Sequence, residues 1–411
     1  MSILEEALAM KRELVIHRRY LHAHAEVGLD LPATSAYVIK SLEQMGLEPQ
    51  LLGTSGVVAL IRGKRPGKVF LLRADIDALP IPEESDLEFR CTSGNMHGCG
   101  HDFHAAMLLG AARILKAHAA ELKGAVKLMF QPGEETLAGA KMMIELGVLK
   151  NPGVDAAMMV HVLPAVPISA GTAVFIDAGK IFATVEAFRV DVRGKGCHGS
   201  APYRGVDPLN VLAHIHIALQ EINAREITPF EAVTLTIGQM HGGTAANVVP
   251  ETAYIAGTLR AQSADVHDFV KRRMGEIVRG IAAVFRAEAK LTFEWGCPGF
   301  SADEALNEEI MTEAVQLLGE NRVIHQRMAP IIEKGLGGED FSFIAAEVPA
   351  ICVMLAAGSP EDGYQFAVHH PQVHFDEDAL PFGAALLAGS ALNWLSESSH
   401  LSEEKVDKNN T

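Results

Sequence analysis

Apolar positions along this chain recur with two periods, and the exchanges between them mark out its elements. Residues 1 to 50 repeat every three to four positions and predict two helices, the first ending near His24 and the second running from Thr34 to Met45 before Gly46. Val57 to Ile61, then Gly63 to Gly67, then Val69 to Leu72 read as a strand, a turn and a strand. The second of these strands is apolar without alternation, as a strand covered on both faces should be. From about Asp102 to about Ala120 the period is helical again (Ala105, Met107, Leu108, Ala111, Ile114, Leu115), and further apolar runs follow at Val126 to Phe130 and Ala156 to Val160. Strands alternating with helices predict a parallel sheet, and such sheets bind ligands beyond the carboxyl ends of their strands.

From about Ala183 the texture changes. VEAFRVDVR alternates like a half-exposed strand, PLNVLAHIHIALQEIN is helical, AVTLTIGQMHGG and ETAYIAGTLRA alternate, Val266 to Ala287 is helical, and a last strand lies near Leu291 to Trp295. The order β, α, β, β, α, β predicts a ferredoxin-like α+β unit. The α/β pattern then resumes with a helix over Glu308 to Leu318, a strand over Ala350 to Leu355 and a closing helix to about Leu395. The expected fold is therefore α/β: a doubly wound, mainly parallel catalytic sheet built from residues 1–182 and 296–411, with a lid inserted over 183–295. No internal repeat or low-complexity linker interrupts it.

Composition narrows the function classes. At 411 residues, 48% hydrophobic and 21% charged, the chain can bury a sizeable core and is too long for one ordinary domain. Its formal charge is -16, from 51 acidic against 35 basic residues. With no basic block, nucleic acid and anionic membrane are poor partners. The amphipathic, charged N-terminus is unlike a signal sequence and no apolar run approaches the ~20 residues that span a bilayer, so a soluble cytoplasmic protein is expected. Five scattered cysteines, odd in number and without C-x-x-C pairs, argue against a disulfide framework. The polar tail after Trp394 is expected to fray.

The chemistry concentrates in NMHGCGHDFHAA, residues 95–106, which holds three histidines, a cysteine and an aspartate. A lone C-x-H is most often structural, but five donor-capable residues in twelve point to metal. Cys99 and His101 flank one glycine, so a thiolate and an imidazole can face one point. The loop would end at a helix N-terminus, whose partial positive charge helps keep a thiol deprotonated. Asp75 and Asp77 follow the second strand, Glu134 and Glu135 follow Pro132-Gly133 after the next, and His161 ends the third. Cys99, His101, Glu135, His161 and one of His369 or His370 make enough donors for two ions sharing a ligand, which is hydrolytic machinery. Adjacent glutamates diverge, letting one bind metal while the other acts as general base.

MHGCGHD, QPGEE, the histidine of MVHVLP, GCHGSAP, GGTAANVVP, GTLR, GGEDF and HHPQVHFDEDALPFGAA resemble the motifs of the metal-dependent amidohydrolases that include hippurate hydrolase, N-acyl-amino-acid amidohydrolases and plant indole-acetyl-amino-acid hydrolases. The likeness runs from RRYLHAHAE to the last helix. It implies Cys99, His101, Glu135, His161 and His369 as ligands of two divalent ions, with the cysteine as their bridge; by ligand chemistry a cysteine leans toward zinc, while carboxylates and histidines admit manganese, cobalt or nickel. It implies Glu134 as the base that takes a proton from metal-bound water and returns it to the leaving amine. Asp77, and with it Asp75, would orient a ligand histidine through its other ring nitrogen. His198 matches a lid histidine that aids the oxyanion, and Asn247 and Arg260 match positions that hold the substrate's free carboxylate. Self-association as a homodimer or homotetramer, through the lid, is implied as well.

The implied reaction is hydrolysis of an N-acyl amino acid to an amino acid and a carboxylic acid. A dipeptidase or carboxypeptidase would use the same machinery, and a silent descendant would have lost the base or a ligand, which this chain retains. A thiol oxidoreductase on Cys99 lacks a resolving cysteine. The chain departs from the family at Phe103 and Cys197, where glycine is usual, at Tyr203, where histidine is common, and at His370, usually small and polar. These departures bear on specificity, and a phenyl ring at 103 is expected to reshape the acyl pocket.

Overall fold

The structure is a computed structural model that describes residues 1–176, 180–326 and 335–396. The polar tail that was expected to fray lies, from residue 397 on, outside the described residues. By the clustering of its contacts the chain divides into two units, 1–179 with 301–333 and 343–411, and 180–300 with 334–342.

The first unit opens with helices α1 (Ile3–Ala9), α2 (Lys11–Ala23) and α3 (Pro32–Gln44), and continues through β1 (Gln50–Leu52), β2 (Gly56–Arg62), β3 (Arg65–Asp75), α4 (His101–Ala117), β4 (Lys123–Gln131), α5 (Gly139–Glu145), β5 (Ala156–Leu163) and β6 (Ala173–Phe175). The second holds β7 (Lys180–Phe182), β8 (Thr184–Arg193), β9 (Cys197–His198), α6 (Pro208–Glu221), β10 (Val233–Gly242), β11 (Val248–Val249), β12 (Thr252–Ala261), α7 (Ala264–Val284) and β13 (Glu288–Cys297). After β14 (Phe300–Ser301) come α8 (Glu304–Leu318), β15 (Val323–His325), α9 (Ser342–Ala345), β16 (Ala350–Ala356) and α10 (Leu380–Trp394).

An eight-stranded sheet of order β1-β2-β4-β3-β5-β16-β6-β15 organises the first unit. Strands β4, β3, β5 and β16 run parallel, while β2 joins β4 and β6 joins β16 antiparallel. The sheet is thus mixed and mainly parallel at its centre. Its central strands are buried nearly throughout, which explains their unbroken apolar runs. Helix α4 packs against α2, α10 and β3, and α10 is buried around most of its circumference.

Two expectations about local structure change. The first 24 residues form two helices, because the chain breaks at Met10, a good helix former that carries no sequence signal for a break. Strand β3 begins at Arg65, so the turn is shorter than Gly63 to Gly67. Helix α4 starts at His101, after Gly100 at φ +84°. A Cβ there would lie 2.3 Å from a Val162 methyl, so only glycine lets the ligand loop turn into the helix this close to β5.

In the second unit the strands lie in the order β10-β12-β8-β13, every neighbour antiparallel. Phe188, Val190 and Val192 of β8 face a core shared with Val211, Ile215 and Leu219 of α6 and Val270, Met274 and Val278 of α7. Alternate residues of β8 therefore bury one face of the sheet beneath the two helices.

Candidate metal centre

The carboxyl ends of β3, β4 and β5 and the loop before α4 meet in the first unit. Arg73 and Asp75, both buried, end β3. The Arg73 guanidinium donates to Asp75 at 2.8 Å and to the Gln131 side chain of β4 at 2.9 Å. Burial opposes a charge on Asp75, but Arg73, His101 and His104 outweigh it and hold its carboxyl well below the usual range. Nδ1 of His104 donates to Asp75 at 2.5 Å, and its Nε2 accepts the Val162 N–H at 2.9 Å. One imidazole thus ties β3 to β5 in a single tautomer.

Asp77 orients a ligand histidine as expected, but through its peptide carbonyl, and its side chain has a second task. Its two carboxylate oxygens accept the backbone N–H groups of Glu134 and Glu135, each at 3.1 Å. It is the Asp77 carbonyl that accepts Nδ1–H of His101, at 2.9 Å, while its carboxylate stands 3.4 Å from that nitrogen. The side chain clamps the glutamate turn and the peptide unit orients the histidine. Asp75, for its part, bonds His104 rather than one of the expected ligands.

With Nδ1 of His101 committed, its Nε2 is buried and has no hydrogen-bond partner. His161 repeats the arrangement: Nδ1 donates to the Val162 carbonyl at 2.8 Å, and Nε2 lies 3.6 Å from Sγ of Cys99. A ring nitrogen fixed as donor leaves the other as a lone pair, which is how metal-binding imidazoles are prepared.

The structure brings all five expected ligands together. Cys99, His101 and His161 offer donor atoms within 4.8 Å of one another, and so do Cys99, Glu135 and His369. Cys99 is common to both groups. Oε1 of Glu135 is 3.5 Å from Nε2 of His369 and 3.9 Å from Nε2 of His101. Bond lengths near 2.0–2.3 Å in a tetrahedral site put neighbouring donors roughly 3.4–3.7 Å apart, so these spacings suit donors around one ion. Two divalent ions sharing Cys99 fit the residues present.

Burial opposes a charge on the His101 ring, but Asp75 and the bond to Asp77 outweigh it and raise its pKa, whereas at His161, His369 and Cys99 burial decides. It pushes the His161 ring down to about 3, with His104 adding to the effect, so this imidazole is neutral and free to donate a lone pair. Burial also lowers His369. The Cys99 thiol is pushed well up by burial, which outweighs His101 beside it. The helix N-terminus therefore does not by itself supply the thiolate; a cation at the site would.

His369 sits at φ +68°, rare for a residue with a Cβ, and its N–H donates to the Gly98 carbonyl at 2.8 Å. His370 joins none of these donor groups: its ring stacks on Phe366 at 4.1 Å and its Nδ1 accepts the Gln372 N–H. Between the two histidines, the geometry favours 369.

A profile of peptidase family M20/M25/M40 matches residues 71–393. The chain belongs to this M20 family. An N-acetyl-L-cysteine deacetylase of Bacillus subtilis is 35% identical over 387 residues, covering 93% of this chain and 88% of the relative. Thermostable carboxypeptidase 2 of Saccharolobus solfataricus is 36% identical over 380 residues, 90% and 93% of the two chains. Among solved structures, a Bacillus subtilis protein described as a dinuclear metal-binding peptidase of the M20 family superposes with a TM-score of 0.78 at 32% identity, covering 94% of this chain and 99% of that one.

The remaining expected residues of this M20 member lie in the second unit. The ribbon of β9 and β11 pairs His198 with Val248, and Gly199 donates to the Asn247 carbonyl at 2.8 Å, so His198 and Asn247 are neighbours. Nδ1 of His198 accepts from the Ser200 backbone and hydroxyl at 3.0 and 2.7 Å. Arg260, on β12, donates to the Leu336 carbonyl at 2.9 Å. Tyr203 is exposed and Cys197 half-buried. Phe103 does not reach a pocket: it is fully buried against Phe375, with the Arg18 guanidinium 4.8 Å from its centre. The expectation that it shapes the acyl site fails because position 103 falls on the inner face of α4.

Sequence reasoning also missed His104, Arg18, His22, Glu83 and His97. His104 lies three residues after His101 on one helix, a spacing that puts both rings on the same side, and this signal could have found it. His97 belongs to the same histidine-rich stretch and Arg18 and His22 to RRYLHAHAE, but Arg18 and His22 find their partners Asp102 and Glu83 61 to 84 positions away, which leaves no local signal.

Proposed function

We propose that this protein hydrolyses the amide bond of N-acyl amino acids, of N-acetyl, N-benzoyl or arylacetyl type, releasing a free amino acid and a carboxylic acid. The observation that carries the reading is the five-donor cluster with Glu134 beside it, held by the same aspartate that clamps Glu135. Two divalent ions, zinc or manganese by preference, lower the pKa of a bound water to about 7 and polarise the scissile carbonyl when present. Cys99, His101, Glu135, His161 and His369 would hold them.

Glu134 does the proton work in this reading. Its backbone is pinned by Asp77 and its carboxylate lies 3.9 Å from Nε2 of His101, at the rim of the donor cluster. It takes the proton of the attacking water and delivers it to the amide nitrogen as that bond breaks. His198 as an aid to the oxyanion, and Asn247 and Arg260 as partners of the substrate carboxylate, are carried forward from the family resemblance. So is the stretch 183–295 as a ferredoxin-like lid and the means of self-association into a homodimer or homotetramer. None of the five cysteines is joined in a disulfide, which suits a reducing compartment such as the cytoplasm.

Release of free amino acid from N-acetyl, N-benzoyl, indole-acetyl and dipeptide substrates, with added manganese or zinc, tests the proposal against Glu134→Gln. Turnover of acyl-amino acids that falls about 10²–10⁴-fold in the variant is expected. Turnover of dipeptides alone would favour the carboxypeptidase reading, which a relative of that name supports. No turnover and no bound metal would refute both.

A further inference from the structure

Behind the ligand loop lies a second polar network that the proposed chemistry does not use. Asp102, next to His101 in the first turn of α4, is fully buried. One of its oxygens takes Nε–H of Arg18 at 2.8 Å and lies 2.9 Å from Nδ1 of His22, both residues of α2. The other nitrogen of His22 lies 3.0 and 3.1 Å from the oxygens of Glu83, which also accepts the Cys91 N–H at 2.8 Å. Burial opposes a charge on His22, but its bonds to Asp102 and Glu83 outweigh that and raise its pKa. Arg18 also donates to Glu377 at 3.2 Å, so the network links Arg18 and His22 to three carboxylates.

Buried ion networks seldom stabilise more than a well-packed apolar group would, so their use is better sought in placement. Here the segment in need of placement is plain. Gly98 and Gly100 leave the ligand loop little stiffness of its own, and its backbone is tied elsewhere chiefly through the Met96 pairing with Leu79 and the Gly98 carbonyl. Its far side also carries unfavourable burial. Both ring nitrogens of His97, Oδ1 of Asp102 and Nη2 of Arg18 are buried without hydrogen-bond partners. A loop that is rich in glycine and carries unsatisfied groups on one side would relax unless held at its end.

We propose that His22 is a positioning residue for the metal centre: by bridging Glu83 and Asp102 it fixes the first turn of α4, and through it the donor atoms of His101 and Cys99. The inference rests on the metal-centre reading above. It places α2, from the opening of the chain, in control of ligand geometry without touching an ion. The bonds to carboxylates on both sides matter more than the volume of the ring, which is why a glutamine should replace it better than a leucine.

The test is ion binding by the apo-protein, followed by titration with zinc and by the thiolate-to-cobalt absorption of the cobalt form. His22→Leu is expected to weaken ion binding ~10–100-fold, as loss of an outer hydrogen-bond partner commonly does, and to shift the cobalt band. His22→Gln should recover part of both. Leu42→Ala, a cavity variant in α3, should lower the melting temperature of the apo-protein yet leave the dissociation constants alone. If His22→Leu does not fold, Glu83→Gln takes its place, with a several-fold loss expected. Dissociation constants within twofold of wild type and an unchanged band in the folded variant would overturn the proposal, as would an equal shift in Leu42→Ala. Ion binding that survives both Cys99→Ser and His101→Ala would overturn the metal-centre reading itself.

Discussion

Replacing Asp77 by asparagine separates the two tasks that one residue performs. In the wild type both carboxylate oxygens accept a backbone N–H, from Glu134 and Glu135 at 3.1 Å each, and the residue is fully buried. Asparagine can keep one of these bonds, but its NH2 group must then face the other N–H, two donors with nothing to accept. A hydrogen bond to a charged group contributes about 1.5–3 kcal/mol, and a buried donor left bare costs about 1–3 kcal/mol. The turn that aims Glu134 should therefore lose about 2–4 kcal/mol of restraint. If this loss falls on the transition state, kcat/KM drops roughly 30- to 1000-fold. His101 should be little affected, because its Nδ1–H is held by the Asp77 carbonyl, which the substitution leaves in place. Steady-state kinetics with metal-saturated enzyme, alongside metal content by elemental analysis, give both readings at once. A kcat/KM within threefold of wild type would show that the clamp carries no catalytic weight. Loss of metal with normal turnover per loaded site would return the carboxylate to orienting His101.

Three further outcomes are expected. His369→Ala should lose metal and activity together, whereas His370→Ala should keep two ions per subunit, since its ring is engaged with Phe366 and the Gln372 N–H; metal content of the two variants decides. Phe103→Gly should leave the ranking of acyl substrates unchanged while destabilising the fold by about 4–6 kcal/mol, the sum of a buried aromatic deletion and a glycine in a helix, read as a lower denaturation midpoint. Lys127 of β4, buried with its ammonium donating to the carbonyls of Val148, Lys150 and Pro152, has its pKa lowered by burial to about 8 from an ordinary 10.5. A lowered folded pKa means that the folded chain binds fewer protons than the unfolded one between those values, so wild-type stability gains as pH rises from about 8 to 10.5. Lys127→Met should be less stable by about 3 kcal/mol near neutrality, and its deficit in urea midpoint should widen at pH 10; an equal deficit at both would contradict the assignment.

How much of the site could be read from the chain depended on whether the information was local. Cys99 and His101 announce themselves by spacing, and Glu134 and Glu135 by following Pro132-Gly133 at the end of an apolar run, because a strand end fixes position to within a residue or two. The parallel order that gathers those ends is likewise carried by unbroken apolar strands such as β16, buried along its whole length. Asp77 orients His101 as its position suggests, but whether a residue works through its carboxylate or its peptide carbonyl leaves no trace in residue type, and neither does the clamp on the glutamate turn. Phe103 was misjudged because a departure from a pattern of glycines looks like a pocket feature until the face of α4 that carries it is known.

Arg18 and His22 show where the limit falls. Four residues apart on α2, they share a helix face, and the sequence marks that face as polar and solvated. Only the tertiary fold reveals that it is buried, with Asp102, 84 and 80 positions later in the chain, as the common partner and Glu377 beyond it. A charged face that turns inward must find its counter-charges there or unfold the protein. The buried positions of Arg18, His22, Glu83 and Asp102 are therefore mutually determined, and a change at one is expected to be felt at the others. The ligand loop inherits that coupling through a single peptide bond, between His101 and Asp102, so the metal centre is tied to the first helices of the chain as well as to β5, which carries His161.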